Sequence, residues 1–255
     1  MIKELYQYRQ LLKSNVRKEI RGKYKGSFLG VLWSFVNPLL MTLVYAIVFP
    51  FILKNSQEHY VTFLITGIIP WTFFTACISQ GTNTILINGG IIKKVYFPRE
   101  ILPISVVTSA LINFLISCLI IFIFLIFSGI GFSYYILFLP IIIIIQYILQ
   151  LGILFITSSV DVYIRDAEYI INFFVQMLFY ATPVLYSSSL FPENIRWFLN
   201  LNPMTQIING YRDILFYQKM PNLNWLGFVF VISMVVLGIG IIVFKKLEKG
   251  FAEEV

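Results

Sequence analysis

Apolar side chains first recur with a helical step. Leu5, Tyr8, Leu12, Val16 and Ile20 lie three or four residues apart, opposite Lys13, Arg17, Lys18 and Arg21, a pattern that predicts an amphipathic helix over 3–21. Such a helix lies along a membrane surface or packs on a partner subunit. Beyond it the pattern changes to long uncharged runs, at 30–53, 61–87, 101–127, 135–160, 169–186 and 225–244. A bilayer core about 30 Å thick takes about 20 apolar helical residues, so each run reads as a membrane span. The expected fold is therefore an all-α integral membrane protein: one transmembrane domain over 1–255, with an N-terminal amphipathic helix, a hinge up to residue 29, and six spans.

Breakers refine this outline. Gly22, Gly26 and Gly30 recur every four residues, a spacing that serves close helix approach or, as the preferred reading, a hinge. Pro38 is expected to kink the first span, and Gly67 with Pro70 to kink the second or form the tip of a shallow insertion. Residues 54–60 form a short connection, and 128–133 a tight turn. Asn202-Pro203 reads as a capped helix start. After it Met204, Ile207, Ile208, Tyr211, Ile214 and Leu215 share one face, opposite Gln206, Arg212 and Asp213. This helix is too short to span, so 187–224 is expected to hold interfacial or re-entrant helices between spans five and six.

Composition supports the membrane reading, since 58% of the 255 residues are hydrophobic and 12% are charged. The net charge of +7 accordingly bears on topology rather than on nucleic acid. Eight basic residues before Gly26 fall on one side with Lys93, Lys94, Arg99, Arg165, Lys245, Lys246 and Lys249, against Lys54, Arg196, Arg212 and Lys219 on the other. The positive-inside rule puts the larger group, both termini and the 88–100 loop in the cytoplasm, and 187–224 outside. The first 25 residues are polar and basic, so no signal peptide is expected. Cys77 and Cys118 lie in apolar runs and read as small buried hydrophobes.

Asp161, Arg165, Asp166 and Glu168 form a compact charged cluster before the fifth apolar run. Charges are costly at bilayer depth, so the cluster is placed at the inner surface. On a helix Arg165 would pair with Asp161 or Glu168, and Pro183 would bend the span that follows. None of the six runs contains Asp, Glu, Lys, Arg or His, which leaves no proton relay. The only histidine, His59, stands in a loop, and there is no phosphate-binding glycine loop. No catalytic residue, metal site or cofactor is expected in this chain.

RGKYKGSFLGVLWSFVNP, GIIPWTFF, KKVYFPREILP, the Arg165-Asp166 to Thr182-Pro183 stretch, LNPMTQIINGYRDILF and FKKLEKGF occur in this order along nearly the whole chain. Together they resemble the membrane subunits of ABC exporters for polysaccharides and teichoic acids, the family that moves O-antigen, capsular polysaccharide or teichoic acid. The resemblance implies a bacterial plasma-membrane permease that forms a homodimer with two separate ATPase subunits. Those subunits would hold ATP and Mg, and the assembly would pass a lipid-linked glycopolymer. It also implies that the amphipathic helix, with Arg17 and Arg21, and the 88–100 loop contact the ATPase. These are the most basic cytoplasmic segments, and Lys93, Lys94, Phe97 and Arg99 are taken as coupling residues. The alternative is that these charges fix topology and attract anionic lipid.

Sugars stack on aromatic rings, so Trp33, Tyr45, Trp71, Phe74 and Tyr180 are candidates for a substrate path, against the alternative that they are interfacial or lipid-facing aromatics. Two rival functions are an ion-coupled carrier using the broken helices near Pro38 and Pro70, and a membrane-embedded transferase acting on lipid-linked sugars. The carrier predicts an internal repeat, which the motif order does not show. The transferase predicts a polar catalytic cluster, which the apolar runs lack.

Overall fold

The computed structural model describes residues 2–24, 26–53 and 58–255. Lys25, Lys54 and most of the expected 54–60 connection lie outside the described residues. Every regular element described is helical. A short helix, Ile2–Gln7, leads into α1 (Arg9–Tyr24), α2 (Trp33–Leu53), α3 (Tyr60–Gly81), α4 (Ile101–Phe127), α5 (Leu139–Asp161), α6 (Ala167–Ala181), α7 (Glu193–Leu201), α8 (Pro203–Leu215) and α9 (Leu223–Leu247).

Five helical segments, containing α2, α3, α4, α5 and α9, are long and apolar enough to cross a membrane. The expected fifth span falls on α6, which has only 15 residues. At 1.5 Å per residue it reaches roughly 22 Å, short of the bilayer core. The physical cause is Pro183, because a residue preceding proline is pushed out of the helical region. Thr182 accordingly sits at φ −107° and ψ 134°, and the apolar run to Tyr186 continues as irregular chain. The described residues therefore contain five such segments rather than six.

The organising element is α3. It is mostly apolar and largely buried, with Thr72, Thr75 and Ser79 along one face, and it packs against α2, α4, α5, α6 and α8. Pro70 neither breaks it nor forms a shallow tip, for the helix runs through from Tyr60 to Gly81. The run expected to reach residue 87 stops at Gly81, and two single-turn helices follow, Thr84–Ile87 and Gly89–Ile92. Asn88 separates them at φ −96° and ψ 10°, and its Nδ2 donates to the Thr84 carbonyl at 2.8 Å, a local bond that competes with helix continuation.

Beside this hub, α5 and α9 pack backbone to backbone. A Cβ placed on Gly152 would stand 2.6 Å from the Leu237 nitrogen and 2.8 Å from the Val236 carbonyl carbon, and one on Gly240 would collide with the Gly152 carbonyl oxygen. Small residues at such a crossing bring helices into close van der Waals contact. The three early glycines behave differently. Beyond its own local backbone, no atom lies within 4 Å of a Cβ built on Gly22, Gly26 or Gly30, and the last two have φ of +76° and +50°. They form no packing surface, and Gly22 lies within α1 itself.

The interior has two apolar clusters. The larger surrounds α3 and takes in Val106, Phe114, Ile145, Leu149, Ile207 and Tyr211. The smaller joins Ile85, Ile92, Phe97, Leu102, Phe155, Val162, Phe244 and Phe251, with Tyr8 and Leu11 packed against it. Asn202 caps α8 by accepting from the Met204 amide at 3.0 Å, and Pro203 takes the first turn. The polar face of α8 is mostly covered: Gln206 and Arg212 are buried along with its apolar side, and Asp213 is half-buried. The helix inserts against α3, α5 and α9.

Candidate functional site

The helices α2, α3 and α6 enclose a cavity of about 420 Å³ lined by Tyr45, Trp71, Phe179 and Tyr180 together with Thr72, Thr75, Ser79, Asn172 and Gln176. The rings of Tyr45 and Phe179 are 5.9 Å apart, and those of Trp71 and Phe179 are 5.6 Å apart. Tyr180 is 68% exposed, so the cavity opens outward from the chain.

Three of the five expected path aromatics thus meet: Tyr45, Trp71 and Tyr180. Phe74 does not line the cavity; it is buried behind Trp71, at 5.3 Å between rings. Trp33 lines a second cavity of about 320 Å³, with Lys23, Asn37 and Asn113 among its neighbours. Phe179 was missed, although 172, 175, 176, 179 and 180 share one helical face, and a face mixing Asn172, Gln176, Phe179 and Tyr180 stands out in an apolar run.

Thr72, Thr75 and Ser79 line both cavities. Thr72 Oγ1 donates to the Ile69 carbonyl at 2.8 Å, and Thr75 Oγ1 to the Thr72 carbonyl at 3.2 Å. Each of these two hydroxyls spends its hydrogen on its own helix and keeps oxygen lone pairs free to accept. Ring faces beside hydroxyl acceptors and amides suit a polyhydroxylated ligand, whose C–H faces stack and whose hydroxyls donate. Deeper inside, Gln146 Nε2 donates to the Pro70 carbonyl at 2.9 Å, Tyr211 Oη donates to Gln146 Oε1 at 2.9 Å, and Cys77 Sγ donates to Gln150 Oε1 at 3.1 Å. Two glutamines one turn apart in an isoleucine-rich run were the visible sign of this buried network.

At the end of α6 the chain reverses around Arg212, which is only 2% exposed. Its Nη1 donates to the Pro183 and Tyr186 carbonyls and its Nη2 to the Val184 carbonyl. The guanidinium lies 3.6 Å from the centre of the Phe63 ring. Burial pulls its pKa down to about 9, which leaves it cationic at neutral pH. Two more side chains hold the same reversal: Tyr60 Oη donates to the Leu185 carbonyl at 2.8 Å, and Asn202 Nδ2 to Thr182 Oγ1 at 2.9 Å. Pro183 therefore ends α6 and enters this clamp instead of bending a longer helix.

In the region of the smaller cluster, Lys93, Lys94, Val95 and Tyr96 are exposed, whereas Phe97 is buried in that cluster. Arg99 Nη1 donates to the Glu248 carbonyl, Tyr163 Oη donates to the Leu247 carbonyl at 2.7 Å, and Val255 packs over Gly89. Lys18 Nζ donates to Asn88 Oδ1 at 2.8 Å, which docks α1 on the 84–92 segment and leaves Arg17 and Arg21 exposed. Of the expected coupling residues, Arg17, Arg21, Lys93 and Lys94 are exposed, while Phe97 and Arg99 anchor the segment.

The Asp161 cluster departs from expectation. No ion pair joins Arg165 to Asp161 or Glu168 among the described residues, because 162–166 leaves the helix between α5 and α6 and helical i, i+4 spacing no longer brings the charges together. Arg165 and Asp166 are exposed, and Asp161 is buried. Its Oδ1 accepts from the Glu168 amide at 3.0 Å, capping the first turn of α6, while Asn83 Nδ2 donates to Glu168 Oε1 at 3.1 Å. Among the described residues no three His, Cys, Asp or Glu side chains gather as metal ligands would.

A helical body with five segments long and apolar enough to cross a membrane fits a multi-pass membrane protein. The chain belongs to the ABC-2 type transporter family, which it matches over residues 10–216. It is 32% identical over 257 residues, covering 100% of this chain and 99% of the relative, to the O-antigen export system permease protein RfbA of Myxococcus xanthus. It is 33% identical over 237 residues to a protein of that name from Klebsiella pneumoniae, covering 92% of this chain and 91% of the relative.

Proposed function

We propose that this chain is the permease of an ATP-driven exporter that carries a lipid-linked polysaccharide or teichoic acid across the bacterial plasma membrane. In this reading two copies assemble with two separate ATPase subunits, and both termini face the cytoplasm. The observation that carries it is the cavity between α2, α3 and α6, where Tyr45, Trp71, Phe179 and Tyr180 stand beside Thr72 and Thr75. Its open side, marked by the exposed Tyr180, is the side that a second copy would close. Apolar side chains of α2 and α6 flank it, with Met41, Val44, Phe173 and Met177 exposed.

The experiment is to delete the gene and follow glycopolymer, while purifying the tagged protein in mild detergent. Polymer accumulating on the cytoplasmic side, together with an ABC ATPase that copurifies at equal stoichiometry, is the expected result. Normal surface polymer after deletion, or purification without an ATPase, would reject the reading. Within it, Trp71→Ala is expected to slow export while the ATPase complex stays intact.

A further inference from the structure

Among the described residues, Arg212 is the one buried cation for which the fold supplies carbonyls in place of a carboxylate. We propose that Arg212 is a positioning residue for the export path: by gripping the reversal that ends α6, it fixes Phe179 and Tyr180 against Tyr45. The proposal rests on the reading of the α2–α3–α6 cavity as that path.

Three observations converge on it. The grip acts on the residues immediately after the cavity wall, since Phe179 and Tyr180 occupy the last turn of α6 and the accepting carbonyls belong to Pro183, Val184 and Tyr186. Tyr186 Oη in turn donates to the Tyr180 carbonyl at 2.7 Å, so the reversal is tied to the wall residue itself. Finally, α3 leaves space for the guanidinium: a Cβ on Gly67 would stand 2.6 Å from Arg212 Nη2 and 3.0 Å from the Val184 oxygen.

A helix terminus presents carbonyls without partners inside the helix. A reversal next to a proline leaves more of them, and buried carbonyls need donors. A planar guanidinium satisfies several at fixed angles, whereas a lysine ammonium is a point donor on a flexible stem. Arginine thus sets the geometry as well as supplying charge. Because Arg212 sits on α8 and the wall sits on α6, displacement of α8 would be passed directly to the cavity.

The test uses the full chain with its ATPase partner, in a background where Cys77 and Cys118 are serine. A Tyr45→Cys/Phe179→Cys pair reports the register of α6 by cross-linking with a short bifunctional thiol reagent that spans the space the two rings fill, and polymer export is measured separately with the aromatic residues intact. Losing one charge-assisted hydrogen bond corresponds to about a tenfold change in an equilibrium, so Arg212→Lys should lower both cross-linking and export by about that factor while the complex still assembles. Gly67→Ala, which displaces the guanidinium without removing its charge, should lower both in the same direction.

Unchanged cross-linking in an assembled Arg212→Lys complex overturns the positioning role, whatever export does. Reduced cross-linking with wild-type export instead rejects the cavity as the path. Failure of both variants to insert would make Arg212 a folding residue and overturn the proposal as well.

Discussion

Gly152 and Gly238 lie on neighbouring helices of the α5–α9 pair, yet their surroundings differ in kind. A methyl on Gly152 meets the backbone of α9 within 2.6–2.8 Å, while no atom beyond its own local backbone lies within 4 Å of one on Gly238. Backbone cannot step aside as a flexible side chain can, so Gly152→Ala forces the helices apart. It is expected to cost about 1–3 kcal/mol, the usual range for overpacking, and to lower the unfolding temperature in detergent. Gly238→Ala should leave that temperature unchanged or raise it slightly, since alanine is the better helix former. Equal effects from the two substitutions would mean that the crossing is looser than its geometry indicates. Asp161 allows a second contrast. Asparagine keeps an oxygen for the Glu168 amide and alanine does not, so Asp161→Ala should destabilise the protein by about 0.5–2 kcal/mol and Asp161→Asn by clearly less. The same thermal melts distinguish them.

At the scale of elements, the last residues of the chain brace the basic segment. Phe251 is fully buried beside Phe97 and Phe244, Arg99 holds the Glu248 carbonyl, and Val255 covers Gly89. Phe251→Ala should cost about 3–5 kcal/mol as a core truncation, and hydrogen exchange should rise at 88–99 before it rises in α3. Uniform loosening of the whole chain would show that the brace is not local. The positions of the long apolar helices were legible in the sequence because an uncharged run of twenty residues has few other uses. The end of α6 was less so: the run continues to Tyr186, and the decisive feature is a single proline acting on the residue before it. Arg212 was misread for a different reason. On a short helix an Arg-Asp pair marks the polar face, and nothing local reveals that a chain reversal with spare carbonyls will fold over that face. The aromatic cavity was half legible, since ring types can be listed from the sequence but their convergence depends on which helices pack on α3.

At the scale of the whole molecule, the cavity and the exposed basic segment stand on different elements. The cavity lies among α2, α3 and α6, while the exposed charges of Lys93 and Lys94 stand on a segment fastened by Phe97, Arg99 and the C-terminal turn. A basic segment on a rigid mount suits a partner that pushes on it, and an acidic surface on the ATPase would meet it. Lys93→Glu with Lys94→Glu leaves every described anchor in place, and most of the remaining basic residues on that side still favour the same orientation. Insertion and thermal stability should therefore match the parent, because exposed charges contribute at most about 1 kcal/mol. Copurification of the ATPase and polymer export should both fall, and Arg17→Glu with Arg21→Glu should deepen the loss. If the contact is electrostatic, the parent complex should also weaken as salt shortens the screening length from about 10 Å at 0.1 M to about 3 Å at 1 M, and the reversed variant should show little further salt dependence. Retained export and an unchanged salt response in the double variant would move the coupling surface away from this segment, leaving its lysines to set topology.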